Sequence, residues 1–187
     1  ADGTLKNQIT SGPWNTRAGI ARVDEEAGVV YLQGNAREEG EDPYYTHAYR
    51  VNLDGTGLRL LNPGNFDHRA SFNESGQYFV DNYSRVDTTP ASVLRNASGR
   101  VVLELETADF SRLLEAGYVY PEPFTVKATD GITELYGVMY KPFDFDETKA
   151  YPLVKYVYPG PQTESVSKSF NTNRYETALA QFGMVVI

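Results

Sequence analysis

Gly28–Asn35 reads GVVYLQGN and Gly76–Ser84 reads GQYFVDNYS. Each stretch opens on a glycine and continues as a short run of β-branched and aromatic residues, the signature of a strand leaving a turn. The sequence around one is laid out like the sequence around the other. Upstream of the first stands IARV (20–23), joined to it by DEEAG; downstream stand HAYRVNL (47–53) and LRLLN (58–62), joined through LDGTG. Around the second stand ASFN (70–73), SVLRN (92–96) and RVVLELE (100–106), with NESG and ASG as the joining turns. Gly28 corresponds to Gly76, and Asp54-Gly55, the strongest hairpin signal in the chain, corresponds to Ser98-Gly99. A repeat of about 45 to 50 residues carrying four short strands is the length of one blade of a β-propeller. The leading LKNQIT (5–10) is then expected as the outer strand of an earlier blade.

After Glu106 the pattern changes. FSRLLEAG (110–117) predicts a short helix ended by Gly117. EPFTVKAT (122–129) and ELYGVMYKP (134–142) predict a hairpin about Asp130-Gly131. KPFDFDETKA (141–150) is a polar loop. YPLVKYVY (151–158) then predicts a buried strand that runs into Pro159-Gly160-Pro161, where no strand continues. NRYETALAQFG predicts a helix with Tyr175, Ala178, Leu179 and Phe182 on one face, Asn173 as N-cap and Gly183 past its end. MVVI (184–187) predicts another buried strand. Strand, helix, apolar strand is the opening of a parallel α/β sheet. The fold class expected is mostly β with an α/β segment: two propeller blades over residues 1–108, a helical connection over 109–117, and the start of an α/β sheet over 118–187.

Composition narrows the function. The 187 residues are 41% hydrophobic and 13% aromatic, enough to bury a core. A formal net charge of −8 disfavours nucleic acid and anionic membrane as partners. Cysteine is absent, which removes disulfides and thiolate chemistry. No apolar run approaches ~18 residues, so no transmembrane helix is expected. ADGTLKNQIT at the start is not a signal peptide, and with no initiator Met the chain reads as a piece of something longer.

The candidates for chemistry are few. His47 falls in a strand and His68 just before one, and both read as packing or loop residues rather than as a catalytic base. Two histidines, with no HExxH or CxxC spacing, give no metal site and no cofactor motif. No GxSxG is present, so the nucleophile elbow of an α/β-hydrolase is missing. FDFDE (143–147) reads as a solvated loop rather than a calcium site. Asn73, Asn82 and Asn96 head Asn-x-Ser triplets that matter only in a glycosylating host. Trp14, the single tryptophan, reads as an aromatic packed between blades. Tyr158 has two readings. It is either a packed tyrosine at the core's edge, or a phenol held rigidly where parallel sheets place ligands, able to donate to a developing oxyanion.

HRASFNESGQYFVDNYSRVDTTP (68–90), PEPFTVKATDGITELYGVMYKP (121–142) and FDETKAYPLVKYVYPGPQ (145–162) together resemble the dipeptidyl peptidase IV branch of the prolyl oligopeptidase family of serine peptidases. The resemblance covers essentially the whole chain. It implies the last two blades of an eight-bladed propeller followed by the beginning of an α/β-hydrolase domain. It also implies an exopeptidase that removes N-terminal dipeptides, usually after Pro or Ala, from a peptide substrate.

By the same resemblance Tyr158 is the tyrosine whose hydroxyl completes the oxyanion hole, although Pro159 replaces the family's usual small residue. The catalytic Ser, Asp and His are implied beyond Ile187, and the substrate-binding glutamates and arginine of the propeller before Ala1, so the chain alone is expected to be inactive. The segment Gln162–Ser169 follows that tyrosine and is implied at the cavity, without assigned roles. Relatives are often homodimers and act in the periplasm, at the cell surface or outside the cell. Two rivals stand beside this reading: a catalytically dead relative that binds peptides or proteins, and a free-standing β-rich binding module.

Overall fold

A computed structural model describes residues 2–16, 19–158 and 165–187. They form two compact units. One is Ala1–Tyr83 with Ala91–Thr107; the other is Ser84–Pro90 with Ala108–Ile187.

The first unit holds two antiparallel four-stranded sheets with the same up-and-down order. β1 (Ile20–Asp24), β2 (Val29–Gly34), β3 (His47–Asn52) and β4 (Arg59–Leu60) make one; β5 (Asp67–Phe72), β6 (Tyr78–Ser84), β7 (Ala91–Asn96) and β8 (Val101–Thr107) make the other. The turns repeat as well. Gly55 after β3 and Gly99 after β7 both have positive φ, at 85° and 86°. In each turn the glycine N–H donates to the carbonyl of an asparagine three residues earlier, Asn52 or Asn96. At Gly99 conformation and space agree, because an added Cβ would collide with the backbone of Leu61.

β2 explains why the first sheet is well specified. Its residues Val29, Val30, Tyr31 and Leu32 are all buried. Side chains alternate across a strand, so the run fills two cores at once. Val29 and Tyr31 join Ala48, Leu61, Ala70 and Phe79 in a cluster drawn from both sheets. Val30 and Leu32 join Val51, with Ile9, Trp14 and Leu58 packed on. Each fully buried side chain of this size contributes roughly 1.5–3 kcal/mol.

One expectation for this unit is corrected. Residues 5–10 form no strand. Instead they lie along the β3–β4 turn, where Asn7 Nδ2 donates to the Leu53 carbonyl at 3.0 Å and Ile9 enters the Val30 cluster. Trp14 packs on the first sheet, edge-on to Tyr49 at 4.9 Å between centroids, with its ring against Gly34, where any Cβ would clash.

In the second unit α1 (Ser111–Glu115) is short and buries none of its residues. Gly117 follows it at φ 92°. β9 (Glu122–Lys127) and β10 (Glu134–Met139) form the expected hairpin about Gly131, with the Asp130 carboxylate accepting from the N–H groups of Ile132 and Thr133. β11 (Leu153–Val154) and β12 (Val185–Val186) pair in parallel across α2 (Tyr175–Ala180). Reciprocal hydrogen bonds between Tyr140 and Val186, at 2.8 and 2.9 Å, join the hairpin to the parallel pair. The order running across this unit is therefore β9-β10-β12-β11. Val86, Val138, Tyr140, Ala180 and Val186 form its core.

Here the sequence pattern misleads in two places. YPLVKYVY is a two-residue strand rather than a buried one; Leu153 is 62% exposed and Val157 59%. The stretch is paired along one edge only among the described residues, and Pro152 brings no N–H to a ladder. Helix α2 is capped at Arg174, not Asn173, with no side-chain cap bond. It buries Glu176, Thr177 and Ala180, while Tyr175 and Phe182 of the expected face stand in solvent. Among the described residues no helix is long and apolar enough to cross a membrane.

Candidate functional site

Tyr158 follows the short parallel strand β11. The backbone that carries it is tied to β12 up to Tyr156, whose N–H donates to the Ile187 carbonyl at 2.7 Å. Tyr158 is 57% exposed. The turn Pro159-Gly160-Pro161 and residues 162–164 lie outside the described residues.

The same unit contains a cavity of about 320 Å³. The β9–β10 hairpin supplies Phe124, Leu135 and Val138; Tyr156 and Ile187 come from the paired strand ends, and Val166 from the segment before α2. Tyr158 is not one of its walls. Tyr156, two residues earlier, is, so the exposed phenol and the cavity are separate features of the segment that follows β11.

One charged group faces this apolar space from inside the fold. Glu176 is 4% exposed and lines the cavity. Arg174 Nη2 donates to its Oε1 at 3.0 Å, while Oε2 has no partner among the described residues. The Tyr140 phenol beside them is pushed above its ordinary range, first by burial and then by the Glu176 charge, with Arg174 working the other way. Sequence reasoning missed Glu176. The signal was its i, i+4 relation to Ala180, which puts a carboxylate on the buried face of α2.

The two histidines are brought together, though not as catalysts. His47 and His68 are both buried, with ring centroids 4.9 Å apart. Neither faces a hydroxyl: their partners are Glu41 and the Asn62 carbonyl for His47, and Asp81 and the Gly64 carbonyl for His68. Asp81 is wholly buried. Burial pushes its carboxyl up, yet His68, Asn62 and Arg95 together hold it below the usual range. Its signal in the sequence was an aspartate two residues after Phe79, on the inward face of β6. The FDFDE loop is organised by Asp146, which accepts from the Thr148 N–H and hydroxyl. Asn73 and Asn96 close turns with their side-chain oxygens, and Asn82 accepts from Ser92.

Comparison with known proteins agrees along the chain. Residues 1–90 match the family model for the dipeptidyl peptidase IV N-terminal region. Human dipeptidyl peptidase 8 is 30% identical over 193 aligned positions covering 96% of this chain and 21% of its own length. Dipeptidyl-aminopeptidase B of Aspergillus niger is 28% identical over 187, again 96% of this chain and 20% of its own. The crystal structure of Porphyromonas gingivalis dipeptidyl peptidase 4 superposes with a TM-score of 0.76 at 26% identity, over 98% of this chain and 25% of that one. The chain thus spans about a fifth of the length of the curated relatives it matches. With a family model over its first 90 residues, and dipeptidyl peptidases matching it almost from end to end in sequence and in fold, this chain is similar to the dipeptidyl peptidase IV family along nearly its whole length.

Proposed function

We propose that the chain is part of a serine exopeptidase that removes dipeptides from peptide N-termini, after Pro or Ala, and that Tyr158 donates its hydroxyl to the oxyanion formed during acyl transfer. In this reading β1–β8 are two blades of a propeller, and the residues from 118 onward begin an α/β-hydrolase sheet. The repeat of two meanders of the same strand order with matched turns supports the first part. The order β9-β10-β12-β11, an antiparallel hairpin leading into a parallel pair, supports the second. The observation that carries the mechanism is the exposed phenol that follows a parallel strand, where open α/β sheets present ligands.

The chemistry follows from what a phenol can do. The carbonyl oxygen of a scissile bond gains charge only as the tetrahedral intermediate forms. A donor aimed at that position therefore lowers the barrier without tightening ground-state binding. An exposed hydroxyl keeps its proton available for that bond. The nucleophile, its base and the groups that hold the substrate's amino terminus are assigned to other parts of the parent protein, so the 187-residue chain is inactive by itself.

The test is a dipeptide-release assay on the parent enzyme with a Gly-Pro chromogenic substrate. The expected result is release that a fluorophosphonate abolishes, with no turnover by the 187-residue chain. A parent protein that folds but never releases dipeptides, or a rate that survives the fluorophosphonate, would overturn the reading.

A further inference from the structure

The β9–β10 hairpin carries more apolar surface than the core of its unit uses. Val138 belongs to that core. On the other face of the hairpin Phe124 stands opposite Gly137, and Val126 stands opposite Leu135. The Phe124 ring lies across Gly137, so that a Cβ built there would come within 2.4 Å of it. Val126 and Leu135 are each 49% exposed. A hairpin with one face in a core ordinarily turns polar residues to water on the other. These positions are apolar instead, and they line the cavity of about 320 Å³ together with Tyr156 and Val157.

Charge is divided along this space. Glu176 lies at the buried side, and the Arg174 guanidinium answers its charge at 3.0 Å. Lys155 lines the same cavity from an exposed position. Lys127, Lys141 and Lys149 each pair with a carboxylate, whereas Lys155 has no such partner among the described residues. The Lys168 ammonium stands 5.8 Å from the ring centre of Tyr136, another wall. The solvent side is therefore positive, and the buried side holds a carboxylate that is already balanced. An anionic head is repelled from the inner end by Glu176 and drawn to the outer end by Lys155.

We propose that the cavity binds a small amphiphilic anion, an apolar chain or ring ending in one carboxylate, with its body against Phe124 and Leu135 and its head at Lys155. The size suits such a molecule, since pockets for small ligands begin at about 300 Å³. Apolar contact supplies the affinity, roughly fourfold for each methylene buried. Lys155 supplies the preference for an anion over a neutral analogue. The site is independent of the role proposed for Tyr158, which is not one of its walls.

The test is isothermal titration of the intact parent protein with sodium octanoate, sodium hexanoate and 1-octanol. Octanoate should bind at one site, and hexanoate roughly tenfold more weakly, because two fewer methylenes are buried. Lys155→Gln should weaken octanoate by roughly fivefold and leave octanol unchanged. Leu135→Trp should abolish binding of all three by filling the space. An absence of octanoate binding, as when another segment of the parent already covers Phe124 and Leu135, would overturn the proposal. So would binding that survives Leu135→Trp, or an equal loss of octanoate and octanol in Lys155→Gln. Should Leu135→Trp fail to fold, methyl NMR of the wild type decides: octanoate should shift the Val126 and Leu135 methyl signals, and unmoved signals there would overturn the assignment.

Discussion

The two units use similar strand-forming residues to different ends. In the repeat unit β2 buries both faces, and every strand from β1 to β8 pairs with a strand adjacent to it in sequence. In the other unit the parallel strands β11 and β12 are two residues each, and Leu153 and Val157 stand in solvent beside them. Antiparallel meanders find their partners through tight turns, so local sequence completes them. A parallel strand needs a distant partner on each edge. The difference teaches that apolar residues specify burial only when topology brings something to bury them against. β8 makes the same point within the repeat unit: Val101, Val102, Leu103 and Leu105 are all exposed, and β8 is an edge strand.

That comparison can be broken most easily in the repeat unit. Asp81→Asn would leave Arg95 and His68 facing a neutral group in a buried site, at a cost of roughly 3–5 kcal/mol. Phe79→Ala would empty the cluster shared by the two sheets, for a similar loss of about 3–5 kcal/mol. Denaturant midpoints with unchanged m-values would read both. Gly99→Ala should cost about 1–3 kcal/mol or more, because its new Cβ meets the Leu61 backbone while the residue must hold a positive φ. Were Phe79→Ala to cost under about 1 kcal/mol, the shared core would not hold these sheets together.

Acid should expose the same site from the other side. Asp81 is held below the usual carboxylate range, by His68 and its other hydrogen-bond partners working against burial. Its contribution is present above the unfolded carboxylate pKa of about 3.9 and is lost as the pH falls further. An unfolding midpoint that drops below about pH 4 in the wild type, and much less in Asp81→Asn, is the expected result. Equal acid sensitivity in the two proteins would assign the loss to other carboxylates.

How far the sequence could be read follows the same division. The eight strands of the repeat unit were legible from Gly28, Gly76 and Asp54-Gly55, because a hairpin announces itself within a few residues. The buried network was not. His47 and His68 look alike whether they line a loop or a core, and only packing β3 against β5 brings the rings together. Tyr158 was legible as a residue of interest, but its strand was misjudged, because YPLVKYVY records which residues are apolar and not what covers them. Glu176 was passed over since the aromatic residues of NRYETALAQFG suggested a different buried face.

The smallest effect belongs to the exposed strand. Leu153→Ala should change stability by no more than about 0.5 kcal/mol, since the side chain is already 62% exposed. A loss above about 2 kcal/mol in the intact enzyme would show that this strand is covered there, and would sharpen the contrast between the chain and its parent.

The central claim is that the Tyr158 hydroxyl acts on the transition state. Tyr158→Phe keeps the ring and removes only the donor. On a Gly-Pro substrate the parent enzyme should show kcat lowered by roughly 10² to 10³, or about 2.7–4 kcal/mol, with KM little changed and the unfolding midpoint intact. A variant with normal kcat, or one whose loss lies in KM or in folding, would contradict the assignment.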